Sequence, residues 1–453
     1  MNSYPSVLSV RRLLILALLF SSMAVMSARS GPPNIIYIMA DDLGYGDLGC
    51  YGQKVLKTPR LDRMADQGIR LTSHYAGNSV CRPSRYCVWS GMDPRHAKVI
   101  GNQRYVMQDS DTTVAELLKK AGYTTGGVGK WAMASKDEGH PNDHGFDFWM
   151  GFLDQSAAHN HFPDHLWRNR ERVTLPGNVV GPQEEPFRGR VSVKKVTYAH
   201  DVMTDEALDF IRREADGPFL LHVHWTIPHA NNEAGRALGD GMEVPDYGPF
   251  LDLPWPNTEK GFAEMIRRMD QDVGRIIDLL KELGIDKNTL VIFTSDNGPH
   301  HEGGHDHAFF DSNGPLRGYK RDLYDGGIRV PFIARWPGTI PAGSTSDFPS
   351  AFWDFLPTAC EVAGIDPPDG IDGLSYLPVL QGLAEPEREA LYWRFDMNQT
   401  VKQAVRSGNW KLVQPATDAP WELYDVDTDP GETTDLAKKH PAIVQKLISG
   451  FED

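Results

Sequence analysis

Four apolar runs, each closing on polar or charged residues, constrain this chain more than any other feature. Asn34-Ile-Ile-Tyr-Ile-Met39 breaks into Ala40-Asp-Asp-Leu-Gly44, and Thr124-Thr-Gly-Gly-Val128 leads to Gly129-Lys130-Trp131. Phe219-Leu-Leu-His-Val-His-Trp225 leads to Pro228-His229, and Leu290-Val-Ile-Phe-Thr294 leads to Ser295-Asp-Asn-Gly298. Runs of this kind read as strands buried on both faces, the habit of parallel sheets. Helical segments with recognisable ends lie between them: Thr58-Pro59 to Gly68, Asp111-Thr112 to Gly122, and the long stretch Glu259–Leu283 before Gly284. The alternation predicts an α/β fold, a large doubly wound, mostly parallel sheet flanked by helices. In such sheets ligands bind beyond the carboxyl ends of the strands. Here those ends deliver Asp41 and Asp42, Lys130, His229, and Asp296 with Asn297. Any one of them alone reads as a turn or cap residue; together they predict one site.

Composition removes several alternatives. Lys+Arg number 46 against 61 Asp+Glu, a net charge of −15, so no basic excess exists to neutralise a nucleic-acid backbone. Four cysteines are too few to staple a chain of 453 residues, and the core must hold itself together. Arg11 and Arg12, the apolar run from Leu13 to Phe20, and small residues at Ser27 and Ala28 predict a signal peptide over residues 1–29. The mature chain is then exported, periplasmic or extracellular, with no stable membrane anchor, because the run is short and no later segment is apolar enough to span. Residues 30–385 read as the main domain. Beyond Pro386, short strand candidates at Ala390–Arg394, Gln403–Ser407, Trp410–Val413 and Trp421–Asp425 and an amphipathic segment, Pro441–Phe451, predict a C-terminal α+β subdomain over 386–453 with a small antiparallel sheet and a helix. The Gly/Pro/Asp-rich stretch Ala230–Pro256 reads as a long surface loop near the site.

The sharpest local signal is Cys81-Arg-Pro-Ser-Arg85, where Pro83 suits a first helical turn and a helix is expected to begin just after Cys81. Cys81 would then sit where helix amides favour negative charge. A buried structural cysteine, as expected for Cys50, Cys87 and Cys360, and an ordinary thiolate nucleophile are the alternatives.

With this motif the chain resembles the formylglycine-dependent sulfatases of the alkaline-phosphatase-like superfamily. The Cys-x-Pro-Ser-Arg string is similar to that family's maturation signal, in which a maturating (formylglycine-generating) enzyme oxidises the cysteine to Cα-formylglycine. Further blocks follow in family order: Asn34–Gly44, Thr58-Pro-Arg-Leu-Asp62 through Gly68, Thr294–Gly298, Gly314–Lys320 through Gly326–Pro331, and Trp421–Asp425 to Glu432. The resemblance implies one calcium ion, Ca2+, on Asp41, Asp42, Asp296 and Asn297, with the modified Cys81 completing the shell. It also implies that one hydroxyl of the hydrated aldehyde attacks sulfur and the other helps expel sulfate. Arg85 would favour the ionised hydroxyl, Lys130 and Lys320 would hold sulfate oxygens, and His229 would protonate the leaving alcohol. The oxygen-rich donor set agrees with a hard cation.

The pattern departs from the family at Ala132, where many members carry a histidine two residues after the lysine. The run His159-Asn-His-Phe-Pro-Asp-His165 offers His159 and His161 either as compensating, substrate-binding side chains or as surface histidines. The run His300–His307 has a zinc-like composition but reads better as a sugar-contacting loop. Asp325 stands where glutamate is more usual. The expected function is an exported sulfatase acting on a sulfated sugar or polysaccharide. The alternatives are a phosphonate monoester or phosphodiester hydrolase of the same superfamily and a non-catalytic glycan-binding relative. Polymer binding in so acidic a chain would need local arginines such as Arg168, Arg170, Arg172, Arg188 and Arg190, although a solvated face is their commoner use. Trp131, Trp149, Trp167 and Trp225 would either stack on sugar rings or fill the core.

Overall fold

All four apolar runs are strands in the computed structural model, which describes residues 31–135, 138–182, 189–397 and 399–451. The segment read as a signal peptide lies outside the described residues. Strands of the main sheet are β1 (Asn34–Asp41), β2 (Ile69–Leu71), β3 (Thr124–Lys130), β4 (Phe148–Phe152), β5 (His165–Arg168), β6 (Glu171–Thr174), β7 (Phe219–Pro228), β8 (Thr289–Ser295), β9 (Phe332–Arg335) and β10 (Ser344–Ser346). They lie in the order β10-β2-β9-β8-β1-β7-β3-β4-β5-β6. The central block β8, β1, β7, β3 and β4 is parallel throughout, antiparallel pairings continue it on both sides, and β10 lies parallel to β2 at one edge. Ile36 pairs with Leu221 on one side and Val291 on the other, so β1 is enclosed by the other apolar runs.

Alternate residues of β1 feed two cores. Ile35, Tyr37 and Met39 pack with Trp89, Leu118 and Phe355, from α2 (Cys81–Ser90), α3 (Val114–Lys120) and α6 (Phe355–Ala363). Ile36 and Ile38 pack on the opposite face with Met64, Phe210 and Met269, from α1 (Pro59–Asp66), α4 (Ala199–Glu214) and α5 (Asn257–Glu282). Helices on both faces make the sheet doubly wound, as the sequence pattern predicts. No helix among the described residues is long and apolar enough to cross a membrane.

Two local expectations need correction. The helix of the cysteine motif starts at Cys81 itself, with extended Val80 as its cap residue. The stretch 230–256 is not a bare loop, because it holds a helix over Asn232–Leu238. The Asn231 side chain accepts from the Ala234 amide at 3.0 Å, and Gly239 closes the helix at φ +79°, capping signals hidden in a loop-like composition.

Near the C-terminus, β11 (Leu391–Met397), β12 (Thr400–Ser407), β13 (Trp410–Gln414) and β14 (Glu422–Asp425) form an antiparallel sheet, and α7 (Pro441–Ser449) packs on it through Val444 and Leu447. A buried ion cluster ties this sheet to the main one. Lys411 Nζ on β13 lies 2.6 Å from Asp325 Oδ1 and 3.0 Å from Glu432 Oε1, all three side chains being fully buried. Burial opposes the charge on Asp325, yet Lys411, Arg329 and Arg406 outweigh it and hold the carboxyl down at about 2. This gives Asp325 a structural partner set. Lys411→Met would leave two acids buried without their shared cation, so a loss of about 3 kcal/mol in unfolding free energy is expected, read as a lower urea midpoint.

Candidate active site

The carboxyl ends of β8, β1, β7 and β3 meet the first turn of α2, and every side chain at that junction is buried. Asp41 ends β1, and Asp42 turns back with φ +67°, donating its amide to Asp296 Oδ1 at 3.0 Å. Cys81 Sγ lies 3.2 Å from Asp41 Oδ1 and 3.9 Å from Asp42 Oδ1. One turn along α2, on the same face, Arg85 bridges Asp41 Oδ2 at 3.2 Å and Asp296 Oδ2 at 2.8 Å. The motif's other residues serve the backbone. The Ser84 hydroxyl accepts from the Gly77 amide at 3.0 Å, and Arg82 Nε donates to the Ala132 carbonyl at 3.0 Å.

Two lysines face the carboxylates from opposite sides. Lys130 Nζ, at the end of β3, is 2.7 Å from Asp41 Oδ2. Lys320 Nζ is 2.7 Å from Asp42 Oδ2, 2.8 Å from Glu302 Oε2 and 3.1 Å from His229 Nε2. Nδ1 of His229 lies 2.6 Å from the Ala230 carbonyl. With its N–H donated there, Nε2 faces Lys320 as an acceptor. Burial and the neighbouring Lys320 hold His229 well below the usual histidine range, so it is neutral.

The oxygen cluster fits a cation. Asp296 is pushed up to about 7 by burial and by the adjacent Asp41, which shows how strongly these acids crowd one another. Asn297 Nδ2 donates to Asp42 Oδ1 at 2.7 Å, while its Oδ1 is buried without a hydrogen-bond partner. Carboxylate oxygens plus an orphaned amide oxygen are the ligands a hard divalent ion takes. Burial, then Asp296 and Asp41, push the Cys81 thiol well above its usual range, so the side chain as encoded is a thiol rather than a thiolate.

The site residues read from the four strand ends and the cysteine motif are thus brought together. Of the histidine run, His159 stacks on His229 with ring centroids 4.8 Å apart and places Nδ1 3.1 Å from Glu233 Oε2. His161 lies beneath, its Nε2 2.8 Å from the His229 carbonyl, buried and lowered to about 4 by that burial. A ring nitrogen of His229 falls within 4.8 Å of the Cys81 sulfur. At Ala132 the backbone is left-handed, φ +70°, and the side chain is buried. The run 300–307 divides into buried His300 and His305, half-buried His307 and exposed His301. His305 is committed to Glu259 at 2.7 Å.

Sequence reasoning missed Glu302. Its carboxylate pairs with Lys320 and Arg321 and lies 3.8 Å from His229 Nε2. Its position shortly after the Asp296-Asn297 strand end was the available signal, masked by the histidines around it.

The chain matches the family model described as Sulfatase over residues 33–365. It also matches the model described as N-sulphoglucosamine sulphohydrolase, C-terminal, over residues 306–452. It is 34% identical to the N-acetylgalactosamine-6-sulfatase of Canis lupus familiaris over 90% of this chain and 77% of that protein. Identity to Arylsulfatase A of Homo sapiens is 32%, covering 95% of this chain and 89% of that protein. Among solved structures, Ps i-CgsB in complex with k-i-k-neocarrahexaose superposes with a TM-score of 0.79 at 26% identity, covering 93% of this chain and 92% of that chain.

Proposed function

The chain belongs to the sulfatase family and is a sulfuric ester hydrolase; from that premise we propose that it desulfates a sulfated sugar or polysaccharide, using a formylglycine made from Cys81 and a calcium ion on Asp41, Asp42, Asp296 and Asn297. The observation that carries this reading is the placement of Cys81 Sγ between the Asp41 and Asp42 carboxylates, with Lys130 and Lys320 on either side. The sugar class is supported by relatives named for N-acetylgalactosamine 6-sulfate and by the neocarrahexaose complex.

When present, the hydrated aldehyde and the ion would supply an oxygen nucleophile and stabilise charge as it develops. The chain's own residues do the rest. Arg85, clamped between Asp41 and Asp296, fixes the orientation of both carboxylates. Lys130 and Lys320 present ammonium groups from two sides, the arrangement that holds sulfate oxygens as they gain charge. With its Nδ1 proton tied to Ala230, His229 can serve the leaving oxygen only through Nε2, which accepts from the Lys320 ammonium 3.1 Å away until substrate separates them and Nε2 takes up a proton from solvent. His159, stacked on that ring, would extend the substrate-facing wall, while His161, buried with Nε2 on the His229 carbonyl, supports it from beneath. Residues 30–385 are the catalytic domain in this reading and 386–453 the subdomain latched to it by Lys411. Maturation would need a formylglycine-generating or sulfatase-maturating enzyme, and residues 1–29 would direct export and be removed in the course of it.

Matched 4-nitrophenyl sulfate, 4-nitrophenyl phosphate and phenylphosphonate monoester test the reading. The sulfate should be preferred by about 100-fold or more in kcat/KM. Preference for phosphorus would return the phosphonate and phosphodiester alternative, and turnover of none would return the glycan-binding one. Glu302→Gln keeps the shape but frees Lys320 from one of its two carboxylates. A fall of roughly tenfold in kcat/KM for the aryl sulfate is expected.

A further inference from the structure

Beside the proposed catalytic site lies a cavity of about 650 Å³ that none of the residues discussed so far fills. Two stretches of chain connect its wall to that site. His159 stacks on His229, and its neighbour Asn160 lines the cavity. The Trp131 amide, one residue past Lys130, donates to the carbonyl of Phe152, another lining residue, at 3.0 Å.

The charges of the lining sort into spent and unspent. Asp154 accepts from the amides of Ser156 at 2.8 Å and Ala157 at 3.2 Å. Asp164 is taken by His165 and by Arg172 at 3.1 Å. Arg104 and Arg190 are exposed, and among the described residues neither forms an ion pair within 4 Å, Arg190 acting on Asp164 only at longer range. The neighbouring surface arginines are engaged elsewhere, Arg168 with Glu206 and Arg170 with Asp143. Two guanidinium groups without a close ion pair among the described residues share this recess, in a chain of net charge −15. An aromatic face accompanies them. Trp131, Trp149 and Trp225 are fully buried in the core, whereas Trp167 is partly exposed in the cavity wall.

We infer that this cavity binds a second sugar of the substrate chain, one carrying its own anionic group, sulfate or carboxylate, next to the sugar whose ester is cleaved. Arg104 and Arg190 take the anion and Trp167 takes the ring. The inference rests on the sulfated-sugar reading above and deepens it. The preferred substrate is an oligosaccharide with at least two anionic residues, not a monosaccharide sulfate.

Binding and turnover are measured separately so that the two claims fail separately. In the Cys81→Ala protein, calorimetry gives Kd for chondroitin 6-sulfate and ι-carrageenan tetrasaccharides at low and high salt. Arg104→Gln with Arg190→Gln is expected to raise Kd by about tenfold or more for at least one of them and to flatten its salt dependence. With Cys81 intact, the same pair of changes should cost kcat/KM on that tetrasaccharide about tenfold more than on 4-nitrophenyl sulfate, the loss lying in KM. Unchanged thermal midpoints confirm folding. Binding that ignores both arginines, no binding of either tetrasaccharide, or equal losses on both substrates overturns the inference. A wild-type protein inert to all sulfate esters whose tetrasaccharide binding still depends on the arginines sinks only the hydrolytic reading.

Discussion

Cys81→Ala is expected to lower turnover of 4-nitrophenyl sulfate by ~10⁴-fold or more, because it removes the atom from which the nucleophile is made while Lys130, Lys320 and Arg85 remain. The cavity left by one sulfur atom among Asp41, Asp42 and the first turn of α2 is small, so the thermal midpoint should move little. Cys81→Ser is the more telling variant. Its hydroxyl can attack sulfur but has no second hydroxyl on the same carbon to drive sulfate out. It should therefore react at most once, with sulfate remaining esterified at position 81. Steady turnover by either variant would contradict the proposed chemistry.

Removal of the cation is the second large effect. Asp41, Asp42 and Asp296 face one another with Arg85, Lys130 and Lys320 paired to them, and among the described residues Asn297 Oδ1 has no hydrogen-bond partner. A calcium chelator is expected to abolish turnover and lower the thermal midpoint by a few degrees, and calcium added in excess to restore both. An ion that binds only the folded state stabilises it by about 2.7 kcal/mol at a hundredfold excess over Kd. Asp296→Asn should uncouple the midpoint from calcium while leaving Arg85 a hydrogen-bond acceptor. A midpoint indifferent to calcium in the unsubstituted protein would show that these oxygens hold no such ion.

Much of this is legible in the sequence. Apolar runs too continuous for a one-sided sheet required burial on both faces, and that requirement set β8, β1, β7 and β3 side by side with their carboxyl ends together. The cysteine motif could be placed because Pro83 fits a first turn and Arg85 falls one turn below Cys81. What escaped depends on three-dimensional partners. Glu302 matters through Lys320 and His229, which are distant from one another in sequence. The helix at Asn232–Leu238 rests on caps that its Gly-rich surroundings disguise. Asp325 looked like a mild substitution until Lys411 and Glu432 appeared beside it. Arg104 and Arg190, without close ion pairs among the described residues, differ from the other surface arginines through the acids that engage Arg168, Arg170 and Arg172, which sequence spacing does not reveal.

Peptide mass spectrometry on Cys81, with protein purified from its own host so that the maturating enzyme is present, tests the central claim most directly. Conversion to formylglycine predicts a peptide lighter by about 18 Da than the one containing unmodified cysteine. An unmodified thiol in every molecule of a preparation that still hydrolyses 4-nitrophenyl sulfate would contradict it.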